Sequence, residues 1–510
     1  MVSRTTSAVT ADRYRAGRRA SPDVLPDEVL LHIFRFCRVD TMDRVNETWG
    51  WLRLVHVCAR WRRVILDLPQ TLGLRLVCTE KTPVRRTLDV WPPFPIIIEY
   101  RNTQPSIQVP ENGFGSDLAT ALQQHARVQR ITVCGLSSSL LETIASTMLK
   151  PFPALTHLQL ESCGDPNAPT PVVPDGLLGG LAPSLKRIWL EGVQFQSLPT
   201  VLSSANHLIE LRLDKIPDSW DISPEALASA LSPLTSLISL TVEFQSPRLF
   251  RTAQNPPPLT RTRLPALTML FFKGVSEYFE DLVSRIDAPR LEYCVIKFYN
   301  QLLFDISHLP EFFARAEKLR SLDRAEVFFD NQGVGIGLHL PETTVPRNVT
   351  LRILCSPSDW QLSSLAQVCH QSSSLLSRVE RLDIRECPSK TREPKWQDKT
   401  QWVDLFRPFA AMTALHIPRE LGPRIAPVLQ ELAQPRAADV LPELKWLIFE
   451  DLKALELSGP LRGAIQEFTA ARASTGHRVG VRQWEVKWER DLQWEWNLAQ
   501  EWARDLEVGV

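Results

Sequence analysis

An apolar triplet spaced L-x-x-L-x-L recurs through the middle of this chain. It appears as Val128/Ile131/Val133, Leu155/Leu158/Leu160, Leu185/Ile188/Leu190, Leu208/Leu211/Leu213, Leu237/Leu240/Val242, Leu267/Leu270/Phe272 and Leu291/Cys294/Ile296. Successive triplets start 27, 30, 23, 29, 30 and 24 residues apart. At that period each unit is a short strand plus a returning helix or loop. Such a unit cannot bury its own leucines, so it must stack on a neighbour, and the chain is driven toward an elongated array. Helix-like patches (LLETIASTML, EALASAL) fill two of the intervals, and phrases such as Pro153-Ala154-Leu155 and Pro265-Ala266-Leu267 end the preceding element just before a strand. The period blurs after Leu319/Leu322 and returns at Val379/Leu382/Ile384, Met412/Leu415/Ile417 and Leu444/Leu447/Phe449, with VTLRIL (349–354) a candidate for the missing strand. Alternation alone also suits a non-solenoid α/β domain.

Side chains alternate along a strand. If the first, fourth and sixth positions of each unit point inward, the third, fifth and seventh face the open side. The third positions are His157, Arg187, Glu210, Ser239, Met269 and Tyr293; the fifth are Gln159, Trp189, Arg212, Thr241, Phe271 and Val295. The seventh are Glu161, Glu191, Asp214, Glu243, Lys273 and Lys297, acidic over four units and basic over two. Trp189, Glu191, Arg212, Asp214, Glu243, Phe271 and Lys273 are therefore the candidate target-binding residues. Their pattern suits a partner with a basic patch and an apolar anchor, charge supplying register and the aromatics affinity. The alternative is a charged exterior that meets no partner.

A second constraint lies near the amino end, LPDEVLLHIFRFCRVDTMDRVNETWGWLRLVHVCARWRRVI, which spells two short amphipathic helices. In the first, Pro26 suits an opening turn, and Asp27 and Glu28 suit the positive end of the helix dipole. Val29, Leu30, Ile33 and Phe34 then share one face. In the second, Leu54, Val57, Cys58, Trp61 and Ile65 share a face, while Arg53, Arg60, Arg62 and Arg63 stay on the polar side. The apolar surface exceeds what the pair could bury between themselves.

These residues resemble an F-box. Leu25-Pro26, Val29, Ile33, Phe34 and Leu54, Val57, Cys58, Trp61, Arg62 follow that family's pattern, and only the connection from Arg38 to Gly50 is longer than usual. An ordinary helical hairpin packed on its own domain is the alternative. The resemblance implies docking to a Skp-type adaptor, and through it to a cullin-RING ubiquitin ligase, by Leu25, Pro26, Val29, Leu30, Ile33, Phe34, Leu54, Val57, Cys58, Trp61 and Ile65. Farther on, WQLSSLAQVC, FRPFAAMTALHIP, APVLQELA and LPELKWLIFEDL look like the leucine-rich F-box proteins abundant in mushroom-forming fungi.

The expected architecture is thus α/β. A basic tail (1–22) precedes the F-box (23–68), a connector and N-terminal cap (69–116), an irregular leucine-rich-repeat-like solenoid (117–475) and a Trp-rich C-terminal cap (476–510). Arg4, Arg13, Arg15, Arg18 and Arg19 give the tail the composition of either a transit peptide or a disordered segment. In the cap, Val479, Val481, Trp484, Val486 and Trp488 alternate as a strand, whereas Trp488, Leu492, Trp496, Ala499 and Trp502 step near helical spacing. It is either a lid on the last repeat or an exposed contact surface.

Lysine and arginine balance aspartate and glutamate at 58 each, so no global field draws the chain to nucleic acid or membrane. No apolar run approaches a membrane span. Nine cysteines without CxxC pairs read as reduced thiols in cytosol or nucleus and offer no metal site. No phosphate-binding glycine loop, GxSxG elbow or HExxH is present, so no catalytic residue and no cofactor is expected. A non-catalytic substrate receptor of a Skp–cullin–F-box ligase is the leading expectation. A scaffold whose partner is not degraded and an enzyme with an unrecognised site are the alternatives.

Overall fold

The computed structural model describes residues 25–39, 50–67, 74–79, 82–101, 111–163, 169–195, 199–247, 260–330, 332–340, 347–355, 362–386, 399–418, 421–437, 439–450 and 459–484. The basic tail and the tryptophans after Trp484 lie outside the described residues. So does most of the connection from Arg38 to Gly50.

The amino-terminal unit has three helices: α1 Asp27–Val39, α2 Gly50–Val55 and α3 Ala59–Asp67. A single second helix through Leu54 and Ile65 is corrected here, because the chain turns at His56–Cys58. The break is held by side chains that satisfy the exposed helix ends. The Cys58 Sγ accepts the Trp61 N–H at 3.4 Å, and Arg62 Nε donates to the Val55 carbonyl at 3.2 Å. Arg60 ties α3 to the start of α1, donating to Asp27 at 2.6 Å and to the Leu25 carbonyl at 2.6 Å.

The strands follow in order: β1 Leu76–Cys78, β2 Ile96–Arg101, β3 Val128–Leu136, β4 His157–Ser162, β5 Val172–Val173, β6 Arg187–Glu191, β7 Gln194–Phe195, β8 Glu210–Ile216, β9 Ser239–Phe244 and β10 Thr262–Arg263. After them come β11 Met269–Gly274, β12 Ile286–Asp287, β13 Tyr293–Tyr299, β14 Arg324–Asp330, β15 Gly333–His339, β16 Val349–Leu354, β17 Arg381–Glu386, β18 Ala414–Ile417, β19 Trp446–Glu450 and β20 Gly480–Trp484. All but β5, β7, β10 and β12 join one 16-stranded sheet. The connector supplies its first two strands, parallel to each other and to β3.

Every triplet from Leu155 to Ile296 puts its first, fourth and sixth side chains in the core. The first leucine of each sits in a tight turn, its N–H bonded to a carbonyl three residues earlier, as in Leu185 to Ala182 and Leu237 to Leu234. The next residue's N–H reaches the preceding repeat: Lys186 to Thr156, Ile209 to Lys186, Ile238 to Ile209, Thr268 to Ile238. Each repeat thus satisfies backbone groups of its neighbour only, which sets the stacking direction. Behind β9, β11 and β13 an aromatic spine fills the core, with Phe244–Tyr278 and Phe272–Phe279 ring centres 4.7 Å apart. The buried apolar set is continuous from Leu30 to Phe468, so the three-helix unit and the sheet share one core.

The blurred region holds an inversion of strand order. Spatially the sheet runs β13-β16-β15-β14-β17. VTLRIL does pair with β13, in parallel, and β14 pairs with β17 in parallel, while β15 runs antiparallel to both its neighbours. The Asp330 carboxylate makes the hairpin turn, accepting the N–H groups of Gln332 and Gly333 at 2.8 and 3.0 Å. Alternate glycines in β15 leave a furrow on the open face. A Cβ on Gly335 would lie 2.6 Å from both the Leu351 carbonyl oxygen and the Phe328 ring. The Phe328 ring fills that space, with the Arg347 guanidinium 4.0 Å from its centre.

Candidate functional site

Helix α1 carries two apolar stripes. Leu30 and Phe34 face inward and are buried, and Phe34 packs edge-on against Trp61 with ring centres 4.8 Å apart. Val29, Ile33 and Phe36, spaced i, i+4, i+7, form the other stripe at 40%, 37% and 76% exposure, and Val57 in the α2–α3 turn is 58% exposed. Only one stripe is therefore open to a second molecule. Of the expected adaptor contacts, Leu30, Phe34 and Ile65 are corrected to core residues of the chain's own helical unit. Leu25, Leu54 and Trp61 are partly buried against that core. Cys58 is half-buried with its sulfur committed to the Trp61 N–H, while Pro26 is exposed. Phe36 was missed by the sequence reading, although its spacing from Val29 and Ile33 is the signal that finds it.

The strand face is laid out by register. Gln159, Trp189, Arg212, Thr241, Phe271 and Val295 stand opposite one another in one row. Glu161, Glu191 and Asp214 align in the next row; a register shift follows Leu213, and Glu243, Lys273 and Lys297 align beyond it.

Two of the four acids do not stand free, as the expected acidic edge required. Asp214 is 5% exposed and paired with Arg212; Glu191 is 12% exposed and 2.5 Å from Lys215 Nζ. Burial pushes the Asp214 carboxyl up to about 6, with Glu243 and Glu191 adding to the rise against Arg212. The Arg212 guanidinium lies over the half-buried Trp189 ring, 4.3 Å from its centre, so that aromatic is partly covered by the chain itself. The expected acidic edge is thereby reduced to Glu161 and Glu243, which are half-buried, because Asp214 is buried on Arg212 and Glu191 is closed off against Lys215. Phe271 and Lys273 are half-buried on the open face, and Lys273 lies 5.5 Å from the Tyr299 ring centre.

Past the inversion, Glu326 is buried beneath two arginines and a histidine: Arg347 at 3.0 Å, Arg385 at 2.7 Å and His339 at 3.4 Å. Burial alone would raise its carboxyl; the His339 hydrogen bond and the two arginines outweigh that and hold it at about 2. The partners come from β15, β17 and the segment before β16, at unrelated spacings from Glu326, which is why spacing did not show the cluster. His157 and His416 are pushed down to about 3 by burial and neighbouring arginines, and so stay neutral. Among the described residues no group of three or more His, Cys, Asp or Glu could hold a metal ion, and no helix is long and apolar enough to cross a membrane.

No curated protein matches the chain. Among solved structures, the leucine-rich repeat-containing protein LegL7 from Legionella pneumophila aligns with 78% of this chain and 98% of its own, at 12% identity and a TM-score of 0.27. A chain of the Rad7 and Elc1 complex from yeast aligns over 83% of this chain and 88% of its own, at 13% identity and a TM-score of 0.28. The F-box-like family matches residues 22–71, the stretch that holds the three helices, so the chain carries an F-box-like domain there.

Proposed function

We propose that this chain is a substrate-recognition subunit of a Skp–cullin–F-box-type ubiquitin ligase. Its F-box-like domain docks a Skp-type adaptor, and the open strand face holds a protein target. The chain supplies no catalytic group; it raises the local concentration of target lysines near a conjugating enzyme borne by other subunits.

The observation that carries this reading is the exposed stripe of Val29, Ile33, Phe36 and Val57 beside an F-box-like core that is already complete. Burying a large aliphatic or aromatic side chain is worth about 1.5–3 kcal/mol. Val29 and Ile33 are already partly covered, so the four together gain less than four full burials and offset part of the entropic cost of association. The continuous core from Leu30 to Phe468 supports a second inference, that a bound target is held in a defined position relative to the adaptor.

The test is co-purification with the adaptor. Val29→Asp combined with Ile33→Asp and Val57→Asp is expected to abolish adaptor capture in a chain that still folds, at a reduced melting temperature because Val29 and Ile33 are partly covered by the chain itself. Adaptor binding that survives in a folded variant would count against the proposal. If the target is degraded, it accumulates when the chain is removed; a partner at constant level would mark a scaffold instead.

A further inference from the structure

Most charges on the open strand face are answered by a neighbour. Arg187 meets Glu210 at 3.5 Å, Lys215 meets Glu191, Arg212 meets Asp214, Arg352 meets Asp330, Arg381 meets Asp383 at 3.3 Å, and Arg347 and Arg385 share Glu326. Lys273 on β11 and Lys297 on β13 break the pattern. They stand directly opposite each other, and among the described residues no carboxylate lies within ion-pair distance of either, although Glu243 is the register neighbour of Lys273 on its other side. Arg352 on β16 is next in register after Lys297, but it is buried and paired with Asp330, so the unanswered positive charge is confined to β11 and β13.

Like charges on adjacent strands repel, at a strand separation of about 4.8 Å. Both lysines are half-buried, so water screens them less than it would on an open surface. Phe271 on β11, with Tyr293, Val295 and Tyr299 on β13, shares the same face and is half-buried, so the lysines border an aromatic floor.

We propose that the open face of β11 and β13 binds an acidic segment of a partner protein, its anionic side chains between Lys273 and Lys297 and an apolar side chain on Phe271 and Val295. This rests on the reading of the strand face as the target-holding surface and deepens it by giving the partner's sign. That sign is opposite to the one the acidic row suggests, because Glu191 and Asp214 in that row are already paired with Lys215 and Arg212. Carboxylate and phosphate offer the same chemistry to two adjacent ammonium groups; the test separates them.

A randomised peptide display library, untreated and after phosphorylation by a broad-specificity kinase, is selected against the full-length chain. Enrichment of peptides that combine Asp or Glu with a large apolar residue is expected, with affinity falling as salt is raised. Preferential enrichment from the phosphorylated pool identifies phosphate as the anion; equal enrichment from both pools identifies carboxylate. Lys273→Glu with Lys297→Glu is expected to weaken the selected peptides by roughly a hundredfold. Lys273→Met with Lys297→Met keeps the aliphatic stems and removes only the charge, and is expected to weaken them by roughly tenfold in a chain with unchanged melting. Selection of neutral or basic peptides, no enrichment at all, or acidic peptides held equally by the native chain and the folded Met variant would overturn the proposal. A protein that needs the strand face for capture yet binds the Met variant as tightly as the native chain overturns this inference alone. The absence of any capture through the strand face overturns the receptor reading with it.

Discussion

Two buried glutamates show how the same side chain is used with opposite electrostatic sign. Glu326 is held at about 2 by His339, Arg347 and Arg385 against the effect of its burial. A carboxyl depressed in the folded state stabilises above its ordinary range, near 4.5, and that contribution is lost as pH falls through about 2. Glu280, in the helix Ser276–Arg285, lacks such cations. Burial raises it to about 8, with Asp305 adding to the rise, while the N–H groups of His308 and Leu309 that it accepts pull the other way. A raised carboxyl reverses the dependence: its contribution is fully present below about 4.5 and is lost as pH rises through about 8. Glu280→Gln keeps an acceptor for one of the two N–H groups, loses the other at a pH-independent cost, and removes the charge. Its stability relative to the native chain should therefore increase with pH and level off above about 8. Denaturant midpoints measured across that range check this; a difference independent of pH would refute it.

At the scale of the element, helix ends and stripes decide what each segment can do. The break between α2 and α3 depends on a thiol acting as a cap, the Cys58 sulfur accepting the Trp61 N–H. Cys58→Ala removes that acceptor and should destabilise the unit by about 1 kcal/mol, whereas Cys58→Ser should retain it. Thermal melts of the two variants distinguish a capping role from simple packing, under which Ser would be the worse substitute. Strand β15 shows a comparable local device. Its glycines join the ladder through their backbone alone, and at Gly335 the missing side chain leaves the space where Phe328 lies, a ring flanked by Arg347 and Arg352.

For the whole molecule, stability passes from repeat to repeat, because the turn and ladder hydrogen bonds join nearest neighbours. Four buried thiols are spread along the array: Cys78 in β1, Cys134 in β3, Cys294 in β13 and Cys369 in the helix Leu362–Gln371. Burial pushes Cys78 up to about 11 and Cys134 up to about 12, and it raises Cys294 and Cys369 as well, so all four resist alkylation while folded. In rising denaturant, Cys78 on the outermost strand should be labelled before Cys294, which is stacked on both sides. Mass spectrometry of the labelled chain reads this order. Simultaneous labelling would mean that the array melts as one cooperative unit.

Much was legible from the sequence because it is local information. The triplet spacing marks strands β4, β6, β8, β9, β11 and β13, and the alternation within each places Gln159, Trp189, Arg212, Thr241, Phe271 and Val295 in one row, since adjacent parallel strands of equal pattern align only one way without exposing leucines. The matched apolar positions of the F-box-like stretch were equally local. Three things were decided only by tertiary structure. The order β13-β16-β15-β14-β17 depends on pairings between strands distant along the chain, to which residue spacing is blind. Which stripe of α1 is open depends on where α3 lies: Leu30 and Phe34 were as apolar as Val29 and Ile33, but only the first pair meets the core. The charge pattern of the strand face depends on which side chains find partners, because Glu191 and Asp214 are paired in space, whereas Lys273 and Lys297 meet no carboxylate among the described residues. Spacing reveals which side chains face the same way; only packing determines what each of them touches.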